Sequence, residues 1–158
     1  DSMTPLDVNK AIRTTAVVSR NRWKYVAEIE YKLDPNLSEV YCLPGQINQV
    51  ILNLIVNAAD AIKELDNGKL GKITISSKAT EFDTQVSVHD TGAGIPDDVQ
   101  PKIFEQFFTT KEIGKGTGQG LALCHQIIHN QHSGMLSFDT EPGKGTTFTF
   151  TIPTKGEN

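Results

Sequence analysis

The sequence predicts a two-layer α/β sandwich, in which helices cover one face of a mixed, mostly antiparallel sheet and leave the other face more exposed. Three observations predict it. An apolar run with helical spacing occupies residues 50–65, two stretches of period-two alternation fold back as hairpins at 72–90 and 135–152, and no repeat or linker divides the chain. With 158 residues, 37% hydrophobic and 22% charged, the chain has enough apolar content for one core and is short for two.

Each element follows from local pattern. After Pro5, residues 6–19 carry apolar side chains at mostly helical spacing, and residues 23–33 switch to period two, with Tyr25, Ala27, Ile29, Tyr31 and Leu33 on one face. A helix is therefore expected to feed a strand. Pro44 suits the first turn of a second helix, where its missing N–H costs nothing, and the apolar density from Val50 to Leu65 carries that helix to a stop at Asn67-Gly68. Residues 72–80 and 85–90 pair about a short turn at 81–84; residues 135–140 and 146–152 pair about Pro142-Gly143-Lys144-Gly145. Between the hairpins lie an irregular stretch at 91–119, with a short helix signal at 96–104, and then a helix from Gly120 to about Asn130. A connection of this length is usually functional or disordered, and this one reads as a lid.

Charge excludes some partners. Lys and Arg number 15 against 19 Asp and Glu, a net charge of -4, which provides no bulk positive field for nucleic acid or for direct contact with an anionic membrane. Cys42 and Cys124 stand in unrelated settings, so neither a disulfide framework nor a thiolate metal site is expected, and the cytoplasm is the expected compartment. No stretch approaches the roughly 20 apolar residues of a membrane span, and residues 1–6 lack the features of a signal peptide. Because the chain begins at Asp1 with no initiator Met, it is expected to be a piece of a longer protein.

The second helix carries a polar stripe, Gln46, Gln49, Asn53, Asn57, Asp60 and Glu64, at close to 3.6-residue spacing. A solvent face accounts for the spacing; the composition points further, because Asn is a poor helix former and two of them one turn apart suggest neutral oxygen ligands for a hard cation. On the strand ending at Asp90, the residues Val86, Val88 and Asp90 share a face, which carries a carboxylate toward the interior, a costly place without donors. Thr91-Gly92-Ala93-Gly94 follows. Asp before such a turn is common, and a buried acceptor beside a glycine opening also suits an exocyclic amine such as that of adenine. Residues 114–120, rich in glycine, run straight into a helix start, a natural phosphate cradle, although flexible linkers share that composition. Lys111 could add a point charge to the same phosphates or be a solvated lid residue. Phe104, Phe107 and Phe108 read as packing residues. His125, His129 and His132 share a stripe that suits an exposed face better than a metal site, since no helical Glu stands beside them. The P-loop, protein-kinase and dinucleotide-binding motifs are all missing from the sequence.

These residues together carry a resemblance. Residues 49–61 resemble the N box of the ATP-binding domain of bacterial two-component sensor histidine kinases, residues 90–96 the first glycine box, 103–111 the F box, 114–121 the second glycine box and 143–148 the last. Five boxes in order are highly specific, and the Phe-Phe-Thr-Thr-Lys form of the F box is most like nitrogen-regulation sensors. The resemblance implies the Bergerat-type fold shared with DNA gyrase, Hsp90 and MutL, with ATP held between the N-box helix and an ATP lid. It implies that Asn57 ligates Mg2+ with support from Asn53, and that Asp90, with Gly92 and Gly94, receives the adenine. Lys111 and the backbone of Gly116, Thr117, Gly118, Gln119, Gly120 and Leu121 would hold the phosphates, and Thr146 would reach the adenine through water. On this reading residues 1–22 lead from an upstream domain and 23–155 form the catalytic domain.

Two departures stand out. Gln119 replaces the usual Leu of the second glycine box, and Asn53 stands where gyrase-like ATPases place the Glu that activates water. The resemblance also implies partners: a histidine-bearing dimerisation domain of a homodimeric parent, since none of the four His residues here has the family's acceptor context, and a response regulator downstream. Alternatives are a gyrase-type ATPase, a serine kinase of the anti-sigma kind, and a nucleotide-binding module without catalysis.

Overall fold

In the computed structural model, which describes residues 2–105 and 120–154, the chain runs β1 (Thr4–Leu6), α1 (Val8–Val18), α2 (Arg20–Trp23), β2 (Ala27–Lys32), β3 (Val40–Cys42) and α3 (Pro44–Leu65). It continues through β4 (Gly71–Ala79), β5 (Asp83–Asp90), α4 (Gly120–His125), β6 (Met135–Glu141) and β7 (Gly145–Pro153). A 3-10 turn covers Gln100–Lys102, and α4 widens into a π-helical stretch over Gln126–Gln131. Five strands form one sheet in the order β2-β4-β5-β7-β6, in which only the β2–β4 pair is parallel. The expected sandwich of helices on a mixed, mostly antiparallel sheet is what forms.

Helix α3 covers the centre of that sheet. Its apolar residues Ile47, Val50, Ile51, Leu54, Ile55, Ala58, Ala59 and Ile62 recur at three- and four-residue steps and are all buried. They meet Ile73 and Ile75 of β4, Val86 and Val88 of β5, and Phe148, Phe150 and Ile152 of β7 in one core. Each large aliphatic chain so buried contributes about 1.5–3 kcal/mol. Pro44 sits in the first turn as expected, but the helix stops at Asp66, whose αL conformation (φ 46°) ends it one residue before Asn67.

The N-terminal third departs most from its pattern. Period two over residues 23–33 predicted one long strand, yet β2 begins only at Ala27, and Tyr25 is 78% exposed. The cause is Trp23, whose indole N–H donates to Ala16 O at 3.0 Å and holds residues 20–26 in a turn against the end of α1. Strands β1 and β3, three residues each, pair antiparallel with each other and are too short for periodicity to reveal. The helix signal at 96–104 amounts to the single 3-10 turn.

Helix α1 belongs to the same core, burying Val8, Ile12 and Ala16. Asp7 caps it through the Lys10 N–H at 3.1 Å. A closed triangle of hydrogen bonds locks it to the sheet: Asn9 Nδ2 donates to Asp34 O at 2.7 Å, Ser77 Oγ donates to Asn9 Oδ1 at 2.7 Å, and the Asp34 N–H donates to Ser77 Oγ at 3.0 Å. Ser77 is 7% exposed, so Ser77→Ala leaves an acceptor and a donor unpaired away from water. Urea unfolding is expected to show a loss of about 1–3 kcal/mol for Ser77→Ala, and clear non-additivity when Asn9→Ala is combined with it.

Candidate functional site

The register of the sheet assembles one polar row on the helical face. Asp90 at the end of β5 lies opposite Ile73 on β4 and Thr146 on β7, and Thr146 lies opposite Thr140 on β6. Asp90 is 1% exposed, because it follows Val86 and Val88 onto the core side of the strand. Its carboxylate accepts the Gly92 N–H at 2.8 Å. Burial pushes the Asp90 carboxyl up to about 6, against the opposing pull of the backbone amides of Gly92 and Thr146. At neutral pH it is an ionised acceptor with more lone pairs than those amides use. The hydroxyls of Thr140 and Thr146 lie 2.8 Å apart, and the Ile95 N–H donates to Thr140 Oγ1 at 3.0 Å. Thr140 was not singled out from the sequence, although the second hairpin, resuming at Thr146 after Thr140, already places the two across from each other.

The glycine turn after Asp90 is docked on the last turns of α3. A Cβ on Gly92 would stand 2.5 Å from the Ala61 carbonyl carbon, and the Ala93 N–H donates to Ala61 O at 3.1 Å. Only a glycine allows that approach. Gly94, at φ 74°, lies against Glu141 and Pro142, while the Gly143 N–H donates to Ala93 O at 2.6 Å, so the first and last glycine boxes meet. Gly145, at φ 146°, lets β7 close on β5, since a Cβ there would stand 2.1 Å from Asp90 O.

The polar stripe of α3 borders this turn. Gln46, Gln49, Asn53, Asn57 and Asp60 are half-buried and only Glu64 is exposed, so the stripe is not a plain solvent face. Gln49 Nε2 donates to Asn53 Oδ1 at 2.7 Å, and Asn53 Nδ2 donates to Gly120 O at 3.4 Å. Among the described residues the Asn57 side chain makes no hydrogen bond. From Asn53, beside the start of α4, to Ala61, beneath Gly92, the helix rises about 12 Å, with Asn57 midway. The Asn53 amide also neighbours the thiol of Cys124, which burial pushes up to about 12.

Lys111, Gly116, Thr117, Gly118 and Gln119, like Phe107 and Phe108, lie outside the described residues; Gly120 and Leu121 open α4. Phe104 packs between His125 and Phe138, with ring centroids at 5.3 and 5.9 Å. The three-histidine stripe does not hold together. His125 and His129 stack at 5.3 Å, but His132 is 5% exposed, accepts the Leu43 N–H at Nε2 (3.0 Å) and places Nδ1 2.8 Å from Ile127 O. The π-helical widening over Gln126–Gln131 turns His132 inward, and among the described residues no three metal-ligating side chains converge. Nor, among them, is any helix long and apolar enough to cross a membrane.

The raised Asp90 carboxyl fixes a pH dependence. Below about pH 4 it is protonated in both folded and unfolded chains, and its contribution to stability is fully present. As pH rises toward 6 the unfolded chain releases the proton first, so stability falls, by on the order of 3 kcal/mol. Asp90→Asn is expected to remove this decline, so that the stability gap between variant and wild type widens from pH 4 to 6 in denaturant titrations; a constant gap would contradict it.

Residues 43–156 match the family model described as histidine kinase-, DNA gyrase B-, and HSP90-like ATPase. The sensor kinase CckA of Brucella abortus (strain 2308) is 44% identical over 143 residues, 80% of this chain but only 14% of that protein. Among solved structures, the nucleotide-free catalytic domain of histidine kinase ThkA matches with a TM-score of 0.83 at 32% identity, covering 98% of this chain and 97% of that one. ThkA in complex with the response regulator protein TrrA matches with a TM-score of 0.78 at 30% identity, covering 97% of this chain and 42% of that one. The chain belongs to the histidine kinase-, DNA gyrase B-, and HSP90-like ATPase family, as a catalytic domain of the sensor histidine kinase kind.

Proposed function

We propose that this domain binds ATP with Mg2+ and transfers the γ-phosphoryl group to a histidine of a partner dimerisation domain. The observation that carries this reading is the buried Asp90 carboxylate, in a row with Thr146 and Thr140 and bounded by a glycine turn. Its unused lone pairs call for a donor. An adenine amine is one, whereas guanine presents a carbonyl at the same place. Thr146 is assigned to the adenine through water, with Gly92 and Gly94 forming the wall. Asn57 suits Mg2+, which takes few protein oxygens and fills its octahedron with phosphate and water. When bound, the ion would neutralise charge on the phosphates. Lys111 and the backbone of residues 116–121 are assigned to the same phosphates.

In the transfer step an imidazole nitrogen attacks the γ-phosphorus in line while the bond to the bridging oxygen breaks and ADP departs with its electrons. The chain's part is positioning. Asn53, an amide, cannot take a proton from water, which favours histidine over hydrolysis. The upstream domain would enter through residues 1–22, with residues 23–155 as the catalytic body. The parent is proposed to be a homodimer acting on a response regulator, with this domain in the cytoplasm and without direct membrane contact of its own. The Phe-Phe-Thr-Thr-Lys form of its F box supports a likeness to the nitrogen-regulation sensors.

Labelled ATP tests this reading. With the parent's histidine domain added, label is expected on that domain, acid-labile and alkali-stable as a phosphoramidate is, with little on the chain itself and slow release of phosphate. Asp90→Asn is expected to weaken ATP about 10- to 150-fold, and Asn57→Ala to remove the Mg2+-dependent part of ATP binding while sparing most of ADP binding. Acid-stable label would indicate a serine kinase, rapid phosphate release without the partner a gyrase-type ATPase, and binding without transfer a non-catalytic module; each overturns the proposal.

A further inference from the structure

The hydrogen bonds along α3 have a direction, and it is set at one end. Gly120 O is a carbonyl and can only accept, so the Asn53 atom facing it is the amide nitrogen. Asn53 Oδ1 therefore faces back along the helix to Gln49, and Gln49 must present its own NH2 group there, which it does at 2.7 Å. Reversing either amide would put oxygen against oxygen or nitrogen against nitrogen, which resolves the usual ambiguity of amide orientation. The 2.7 Å bond is short and the 3.4 Å bond long, so Gln49 is the stronger hold on Asn53. The carbonyl oxygen of Asn53, the atom a metal would need, has one of its two lone pairs held by Gln49 and is turned back along α3, away from Gly120. Its NH2 group points toward the first turn of α4 and is committed only to weak acceptors, Gly120 O at 3.4 Å and the Cys124 thiol, which a phosphate oxygen would displace.

We propose that Gln49 is a positioning residue that fixes the polarity of the Asn53 amide, so that Asn53 meets the phosphates as a hydrogen-bond donor instead of meeting Mg2+ as an oxygen ligand. This rests on the nucleotide reading above and assigns the metal to Asn57 alone among the two asparagines. Gln49 touches neither nucleotide nor metal and acts through Asn53. Its spacing follows from the helix: a residue four positions earlier lies directly beneath Asn53 on the same face.

Two measurements on the full chain test it. In NMR spectra with side-chain amides assigned, the Asn53 NH2 protons of the nucleotide-free wild type are expected to show contacts to Gly120. They should lose them in Gln49→Glu, whose acceptor-only carboxylate draws the Asn53 NH2 group toward itself. In titrations, Gln49→Met, of similar length and without a donor, is expected to weaken ATP about 3- to 10-fold while leaving adenosine unchanged, since adenosine reaches only the Asp90 end. A merely structural role would weaken both alike. Absence of the Asn53–Gly120 contacts in wild type, an equal loss of ATP and adenosine, or unchanged ATP affinity would overturn the proposal. If the wild type binds neither ligand, the nucleotide reading fails, and with it the phosphate-donor role, while the NMR contacts still decide the orientation of the amide.

Discussion

The close docking of the β5 exit on the last turns of α3 is the contact on which the site depends. Gly92 has its backbone against the Ala61 carbonyl, and the Ala93 N–H donates to that same carbonyl oxygen. This seals the lower edge of the sheet's helical face and leaves Asp90 nowhere to reach water. It also sets the depth at which Gly94 meets Glu141 and Pro142, and so joins the first glycine turn to the hairpin between β6 and β7. A side chain at position 92 would separate the two layers by more than a core close-packed around Ile62 and Ala59 can absorb.

That sealing has an electrostatic consequence. A carboxylate out of water is costly, and the two amides of Gly92 and Thr146 recover only part of the cost, which is why the group titrates near 6. The domain is therefore less stable at neutral pH than it would be with a neutral residue at position 90. In exchange, it holds a strong, preoriented acceptor whose unmet demand is specific for a donor. The stability given up is concentrated in one side chain, as the proposed adenine contact at Asp90 would require.

At the other end of the site the chemistry is neutral. Gln49, Asn53 and Asn57 are half-buried along α3, with Asn53 against the start of α4, where charged side chains would face a larger desolvation cost. Amides tolerate that setting and carry both a donor and an acceptor, so their orientation becomes information that the surrounding hydrogen bonds must supply. Gly120 O and Gln49 supply it for Asn53. The side chain of Asn57 has no such partners among the described residues.

Much of this was legible in the sequence, because long elements bury one face and declare it by period. The apolar steps of α3, the alternation of β4, β5, β6 and β7, and the placement of Asp90 on the core side of its strand all follow from local spacing. The polar stripe and the glycine turns were likewise visible as residue types. What local spacing could not show was anything decided by a partner distant in the chain. Strands β1 and β3 exist only by pairing with each other, and Trp23 left the strand pattern because its indole found Ala16 O. His132 turned inward because a π-helical stretch let it cap Leu43. The Asn53 amide acquired a direction only when folding brought Gly120 O, 67 residues away, against it. The sequence by itself determined which side chains would be buried and which would be polar at the site; the tertiary structure alone decided which way the atoms of polar groups such as the Asn53 amide point, because that depends on donors and acceptors contributed by remote backbone.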